Sequence, residues 1–260
     1  MQVNSRPLSK KAPKDVSNLC LLTHSDAMSE RKDAVSDLTP GEEFRSPEKS
    51  RASRQIPKSS RGHFNGYVIA NFNVPRKIRT ESHLELLVLL VLMMRSDIAD
   101  VVEQLPAIEY LDLNGKWKAH SFDFLATKTD GSRLALAVKP WKIAVRHRLV
   151  ERLERIAQYM PAGFADGIQL ITERHIDPID QYNAKLLHGV RHLEPAVDAA
   201  ALAAVETMTN AMRLRDLVEI IGEAGAGMRA LVHLIRAGRL RTVGHERINP
   251  ETFVAKVGTH

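Results

Sequence analysis

Asp123 and Lys139 are charged residues set in apolar strand-like sequence, His120-Ser121-Phe122-Asp123-Phe124-Leu125 and Arg133-Leu134-Ala135-Leu136-Ala137-Val138-Lys139. Charge in such a setting is costly unless paired, so both need a reason to be there. The Asp130-Gly131 hairpin signal between them would bring the two onto adjacent strands. Two chemistries suit that pairing. One is a salt bridge; the other is a metal-binding carboxylate beside a lysine that orients water and stabilises charge on a scissile phosphate. Ala137 shares a strand face with Lys139, because strand side chains alternate with period two. His120 is an odd number of residues from Asp123 and is expected to face the other way. His83, two positions from Glu85 on a helix, is likewise expected to be structural or at the surface.

The elements that would position these residues are well punctuated. Gly66 to Phe72 reads as a short strand, followed by a basic patch, Arg76-Lys77-Ile78-Arg79. Thr80 is the expected N-cap of a helix from Glu81 to about Arg95, apolar on every face from Leu86 to Met94 and hence buried. Glu81 and Glu85 lie four apart and would share a face of it. A β-meander follows: Ala107–Leu113, the Asn114-Gly115 hairpin, a long strand from Lys116 to Thr127, then the strand ending at Lys139. Pro140 stops that strand. A helix from about Val145 to Gln158 crosses over to a strand at Ile168–Thr172, expected to be parallel to a neighbour. Beyond Pro178 the chain reads as helical: Glu194 to Met212, then Arg213 to Ile221, a glycine-rich turn, Ala226 to Ala237, and a basic strand, Arg239–Val243. Helix, turn, helix and basic wing is the order of a winged helix-turn-helix. The Gly222–Gly227 stretch follows a helix and lacks Gly-Lys-Ser/Thr, so it reads as a turn, not a phosphate cradle.

Composition sets the outer bounds. The 260 residues carry 37 basic and 31 acidic side chains, a net charge of +6, with 44% hydrophobic residues. These values fit a globular protein and permit a nucleic-acid partner without requiring one. The single cysteine, Cys20, excludes a disulfide framework and a cysteine metal cage, and fits a reducing compartment. His188, His233 and His245 have no zinc spacing. The longest apolar run, Leu86–Met94, is about half what a bilayer requires, so a cytoplasmic protein without a membrane partner is expected. Residues 1–62 are polar, lack apolar periodicity and read as disordered. Their basic residues, Arg45, Lys49, Arg51, Arg54, Lys58 and Arg61, form either a solvated linker or an arm on DNA phosphates.

Taken in order, Glu85, Gln104-Leu105-Pro106-Ala107-Ile108, Ser121-Phe122-Asp123-Phe124-Leu125 and Ala137-Val138-Lys139-Pro140 resemble the TnsA-like transposon endonucleases, members of the restriction-endonuclease-like PD-(D/E)XK superfamily. The resemblance covers about residues 80–180 and extends less firmly to the C-terminal part. It implies a mixed sheet flanked by helices in an α/β core (63–178), and a small, mostly helical, winged-helix-like domain (179–260). It further implies a Mg²⁺-dependent (Mn²⁺ also possible) DNA endonuclease in the bacterial cytoplasm, nicking double-stranded DNA at transposon ends beside a separate transposase subunit. Glu85 matches the family's helix glutamate, Asp123 its metal-binding aspartate and Lys139 its catalytic lysine. Ala137 departs from the pattern, standing where the superfamily has Glu or sometimes Gln. Glu81 is the best substitute ligand, and the carbonyl of Val138 could help. Arg76, Lys77, Arg79, Arg239 and Arg241 are the expected DNA contacts. Two other readings compete: a nuclease fold that binds DNA or a transposase without cutting, and a winged-helix regulator on an α/β scaffold.

Overall fold

The computed structural model describes residues 46–53, 64–72, 74–190 and 193–258. Cys20 and the basic residues Arg45, Arg54, Lys58 and Arg61 lie outside them.

Strands β1 (Gly66–Asn71) and β2 (Pro75–Thr80) form an antiparallel hairpin, so the basic patch is part of a strand. Its alternation puts Arg76, Ile78 and Thr80 inward and leaves Lys77 and Arg79 on the outer side. Helix α1 (His83–Met94) follows, with Ser82 and not Thr80 as N-cap: the Ser82 hydroxyl accepts from the Glu85 backbone N–H. Glu81 therefore precedes the helix and does not share a helical face with Glu85. The apolar body of α1 is buried from Leu87 to Leu92, as its all-round hydrophobicity requires.

The central sheet is mixed, in the order β3 (Ile98–Glu103), β6 (Phe124–Lys128), β7 (Arg133–Val138) and β8 (Gly167–Ile171). Strand β3 has no counterpart among the expected elements. It pairs antiparallel with β6, which pairs antiparallel with β7. The expected long strand from Lys116 is broken in two. Its first part, β5 (Trp117–His120), pairs with β4 (Ile108–Leu111) in a separate hairpin, and the chain then bends at Ser121–Asp123 to enter β6. The expected crossover helix is also broken, into α2 (Trp141–Arg146) and α3 (Leu149–Ala157), by Arg148 in the left-handed region at φ 48°. The crossover delivers β8 parallel to β7, as expected.

Apolar side chains cover both faces of this sheet. Leu136 and Val138 pack with α1, whereas Ala135 and Ala137 pack with Leu149, Leu153 and Ile156 of α3. This two-sided burial is why β7 reads as a continuous apolar run.

Helix α4 (Pro178–Gly189) sends Ala184 into the first core and Leu187 into the C-terminal one. The C-terminal part runs α5 (Pro195–Glu206), β9 (Met212–Arg213), α6 (Leu214–Ile221), α7 (Ala224–Arg236), β10 (Leu240–Thr242) and β11 (Phe253–Lys256). The two strands without a sequence pattern, β9 and β11, complete a sheet in the order β10-β11-β9. Gly222, at φ 81°, closes α6, and the glycine-rich stretch begun there forms the first turns of α7. The Asn183 amide ties α4 to the segment between β10 and β11: its Nδ2 donates to the Glu246 carbonyl and its Oδ1 accepts from Ile248 N–H, both at 2.9 Å.

Part of the segment expected to be disordered is packed. Within 46–53, Glu48 N–H donates to the Pro75 carbonyl and the Glu48 carbonyl accepts from Lys77 N–H. The Gln104 carbonyl accepts from both Ser53 N–H and Ser53 Oγ. Lys49 and Arg51 therefore sit on a segment held to the core, and Arg51 pairs with Glu48 and Asp100. Net stabilisation of about 1 kcal/mol per hydrogen bond, less the ordering cost, predicts that a chain starting at Arg54 is about 2 kcal/mol less stable than one starting at Ser46. Urea unfolding of the two truncations measures this difference, and equal midpoints would show that the packing contributes nothing.

Candidate active site

One end of the central sheet collects the residues that the sequence singles out. Asp123 immediately precedes β6 and Lys139 immediately follows β7, an antiparallel pair, so both emerge at the same end. Asp123 N–H donates to the Leu136 carbonyl and Lys139 N–H to the Ile171 carbonyl, which fixes both positions to the sheet. The start of α1 brings Glu85 to this end as well.

Lys139 Nζ lies 3.3 Å from Asp123 Oδ1 and 3.4 Å from Oδ2, and Val138 N–H donates to Oδ2 at 2.7 Å. The expected adjacency of Asp123 and Lys139 is therefore present. Asp123 is 6% exposed, whereas the Lys139 side chain, at 38%, reaches solvent. Glu85, 3% exposed, accepts from Ser82 Oγ at 2.9 Å and from Glu81 N–H at 2.7 Å.

Burial raises the Asp123 pKa above the ordinary carboxylate range, against the opposing pull of Lys139 and the Val138 N–H. The Glu85 pKa is raised too, first by burial and then by the nearby charge of Asp123. Two buried carboxylates that disfavour each other's ionisation suit a divalent cation, whose charge offsets both effects. Glu81 influences Asp123 through its charge, but it does not complete a ligand triad. Among the described residues, no group of three or more His, Cys, Asp or Glu is placed to hold a metal ion. Extending the β6–β7 register one step sets Ala137 opposite Asp123. Its methyl is fully buried among apolar side chains and offers no ligand.

The His120 ring packs edge-on against Phe122, two residues further on, with ring centroids 4.8 Å apart. Burial, then the charges of Arg152 and Lys139, hold its pKa down at about 4. Its Nε2 is buried without a hydrogen-bond partner among the described residues. The unfolded imidazole titrates near 6.5, so the folded state binds fewer protons between the two values. Stability is thus complete above pH 6.5 and falls as pH drops toward 4, by at most about 3 kcal/mol from this residue. In His120→Leu that acid-side slope should flatten, which thermal melts across this pH range would reveal. A native-like slope in the variant would assign the acid sensitivity elsewhere.

Gln104 enters the sequence reading only as part of a motif, yet it has structural features of its own. It is buried in the left-handed region at φ 50°, its N–H donates to the Asp123 carbonyl, and neither side-chain amide atom has a partner among the described residues. Backbone strain and unsatisfied buried polar atoms are each costly, so both features call for a reason. A non-glycine left-handed residue leaves no sequence signal.

Of the expected DNA contacts, Arg76 is excluded. It is 4% exposed, and its guanidinium bonds Asp100 Oδ1 at 2.8 Å and the Val101 carbonyl at 2.5 Å. Lys77 lies over the Tyr67 ring at 3.9 Å. Arg79, Arg239 and Arg241 are exposed, the first on the N-terminal hairpin and the other two at β10.

No protein-family model matches this chain, and no curated protein matches it. What the fold establishes is a mixed α/β protein with several sheets and seven helices among the described residues. None of those helices is long and apolar enough to cross a membrane.

Proposed function

We propose that this chain is a metal-dependent DNA endonuclease of the restriction-endonuclease-like class, acting as the nicking subunit of a TnsA-like transposase. The observation that carries the reading is the Asp123–Lys139 contact beside Glu85, built at one sheet end from three separate elements. The element order agrees: helix, three antiparallel strands, crossover helices and a parallel fourth strand. The C-terminal order, α5-β9-α6-α7-β10-β11, agrees with a winged helix. A regulator that used only that domain would leave the buried charge cluster without a purpose.

Glu85 and Asp123 would hold Mg²⁺ or Mn²⁺, hard cations that accept oxygen ligands and retain several waters. Once bound, the cation would supply the Lewis acidity that activates water and stabilises the leaving oxygen. Asp123 also anchors the Lys139 ammonium, which can offset the charge that develops on the scissile phosphate. The Val138 N–H fixes the Asp123 carboxylate, and the Ser82 and Glu81 bonds fix that of Glu85, so neither must reorganise during reaction.

A second reading is favoured by Ala137. A methyl opposite Asp123, with both Glu85 oxygens already closing a helix start, fits a nuclease fold that binds DNA or a transposase but no longer cuts. Conversion of supercoiled plasmid carrying the transposon end, with the partner transposase and Mg²⁺ or Mn²⁺, separates the two. Nicked product that disappears with excess chelator supports the enzyme. DNA binding without nicking supports the inactive form.

A further inference from the structure

A cavity of about 260 Å³ lies between the β4–β5 hairpin and α3. Four cationic side chains line it, Lys118, Arg148, Arg152 and Arg155, against two carboxylates, Asp112 and Glu151. Both carboxylates are already engaged. Asp112 accepts from the hairpin N–H groups of Asn114 and Lys116 and pairs with Lys118 at 3.1 Å, and Glu151 pairs with Arg148. Arg155 is held by the Leu111 carbonyl, Gln158 and Tyr159. Arg152 differs. Its Nε donates to the buried Tyr110 hydroxyl at 2.5 Å, a bond that fixes the guanidinium and leaves its terminal nitrogens available. A pre-oriented guanidinium in a cavity of net positive charge matches the bidentate geometry of a phosphate.

His120 lies two residues along β5 from Lys118, which lines the cavity, and it feels the charges of both Arg152 and Lys139. We propose that this cavity binds a phosphodiester group of the DNA backbone flanking the scissile bond, with Arg152 as its principal contact and Tyr110 as the residue that positions Arg152. This assignment rests on the nuclease reading and adds a course for the duplex, from Lys139 past His120 to α3. The hairpin that walls the cavity pairs with no other strand among the described residues, so it can serve this contact without disturbing the central sheet.

The test is anisotropy of a short fluorescein-labelled duplex with the full chain in EDTA, titrated over a range of salt. Removing one phosphate interaction should lower the slope of log affinity against log salt by about 0.9. Arg152→Gln is expected to show that reduction, together with about tenfold weaker affinity at low salt. Tyr110→Phe should lie between it and the native chain. Lys118→Gln, on the exposed hairpin, guards against a folding defect in Arg152→Gln, and melting temperatures verify the fold of each. Native slopes in both Arg152→Gln and Lys118→Gln would overturn the proposal. So would a cavity that takes only free phosphate, shown by inorganic phosphate raising the native melting temperature while Arg152→Gln keeps the native DNA slope. A reduced slope in a chain that never nicks DNA would leave the Arg152–phosphate contact standing and remove the nuclease reading, and with it the placement of that contact beside a scissile bond.

Discussion

Lys139→Ala and Asp123→Asn are each expected to lower strand nicking by about 10²–10³ while the fold persists. The reasons differ. Lys139 is partly exposed, and its loss removes the ammonium beside Asp123 without emptying a core position. Asn at 123 can still accept from the Val138 N–H but cannot carry the charge that holds a cation. The two variants should also separate on stability. Because burial raises the Asp123 pKa, the folded state disfavours the ionised form. Stability therefore falls as pH rises from the ordinary carboxylate range through the raised folded value. In metal-free buffer, Asp123→Asn should melt no lower than the native chain at neutral pH, and any advantage should vanish at acid pH. Activity lost without stability lost is the pattern of a site residue held at a thermodynamic cost. A loss of nicking that merely followed a large fall in melting temperature would contradict the assignment.

Arg76→Leu is expected to destabilise the fold by about 3 kcal/mol. The guanidinium is nearly inaccessible, and it joins β2 to β3 through Asp100 and the Val101 carbonyl. Removing it leaves a partly buried carboxylate with the Val101 N–H at 2.9 Å and, as its cation among the described residues, the more distant Arg51 at 3.6 Å. Combining Arg76→Leu with Asp100→Leu should recover much of the loss, because neither charge is then stranded. Urea unfolding of the two single variants and the double variant completes the cycle. A cost below about 1 kcal/mol together with weaker DNA binding would return Arg76 to the DNA-contact role expected from the sequence.

The contrast between Arg76 and Lys139 shows where sequence reasoning succeeds. The Asp130-Gly131 turn specifies a hairpin, and the hairpin register sets Asp123 beside Lys139. Arg76 looks like a surface charge by residue type alone, although it shares parity with the buried Ile78, and that signal is present in the sequence. Other features have no such signal. Strand β3 carries Asp100 and Glu103 among its apolar residues, and so resembles a linker. The bend between β5 and β6 interrupts a run whose residue types suit a strand throughout, because consecutive parts of it pair with different partners. The left-handed residues Gln104 and Arg148 are not glycines, so nothing in the sequence marks their turns. The ordered segment 46–53 is polar and is held by bonds to the edge of the fold, not by apolar burial, so composition gives no notice of it.

The nuclease reading requires Glu85 and Asp123 to hold a divalent cation without a carboxylate at position 137. Calorimetric titration of Mn²⁺ into the metal-free full-length chain tests this directly, alongside Asp123→Asn and Glu85→Gln. Saturable binding by the native chain, weakened at least about tenfold in both variants, is the predicted result. Absence of binding by the native chain, or native-like binding by Asp123→Asn, would contradict it.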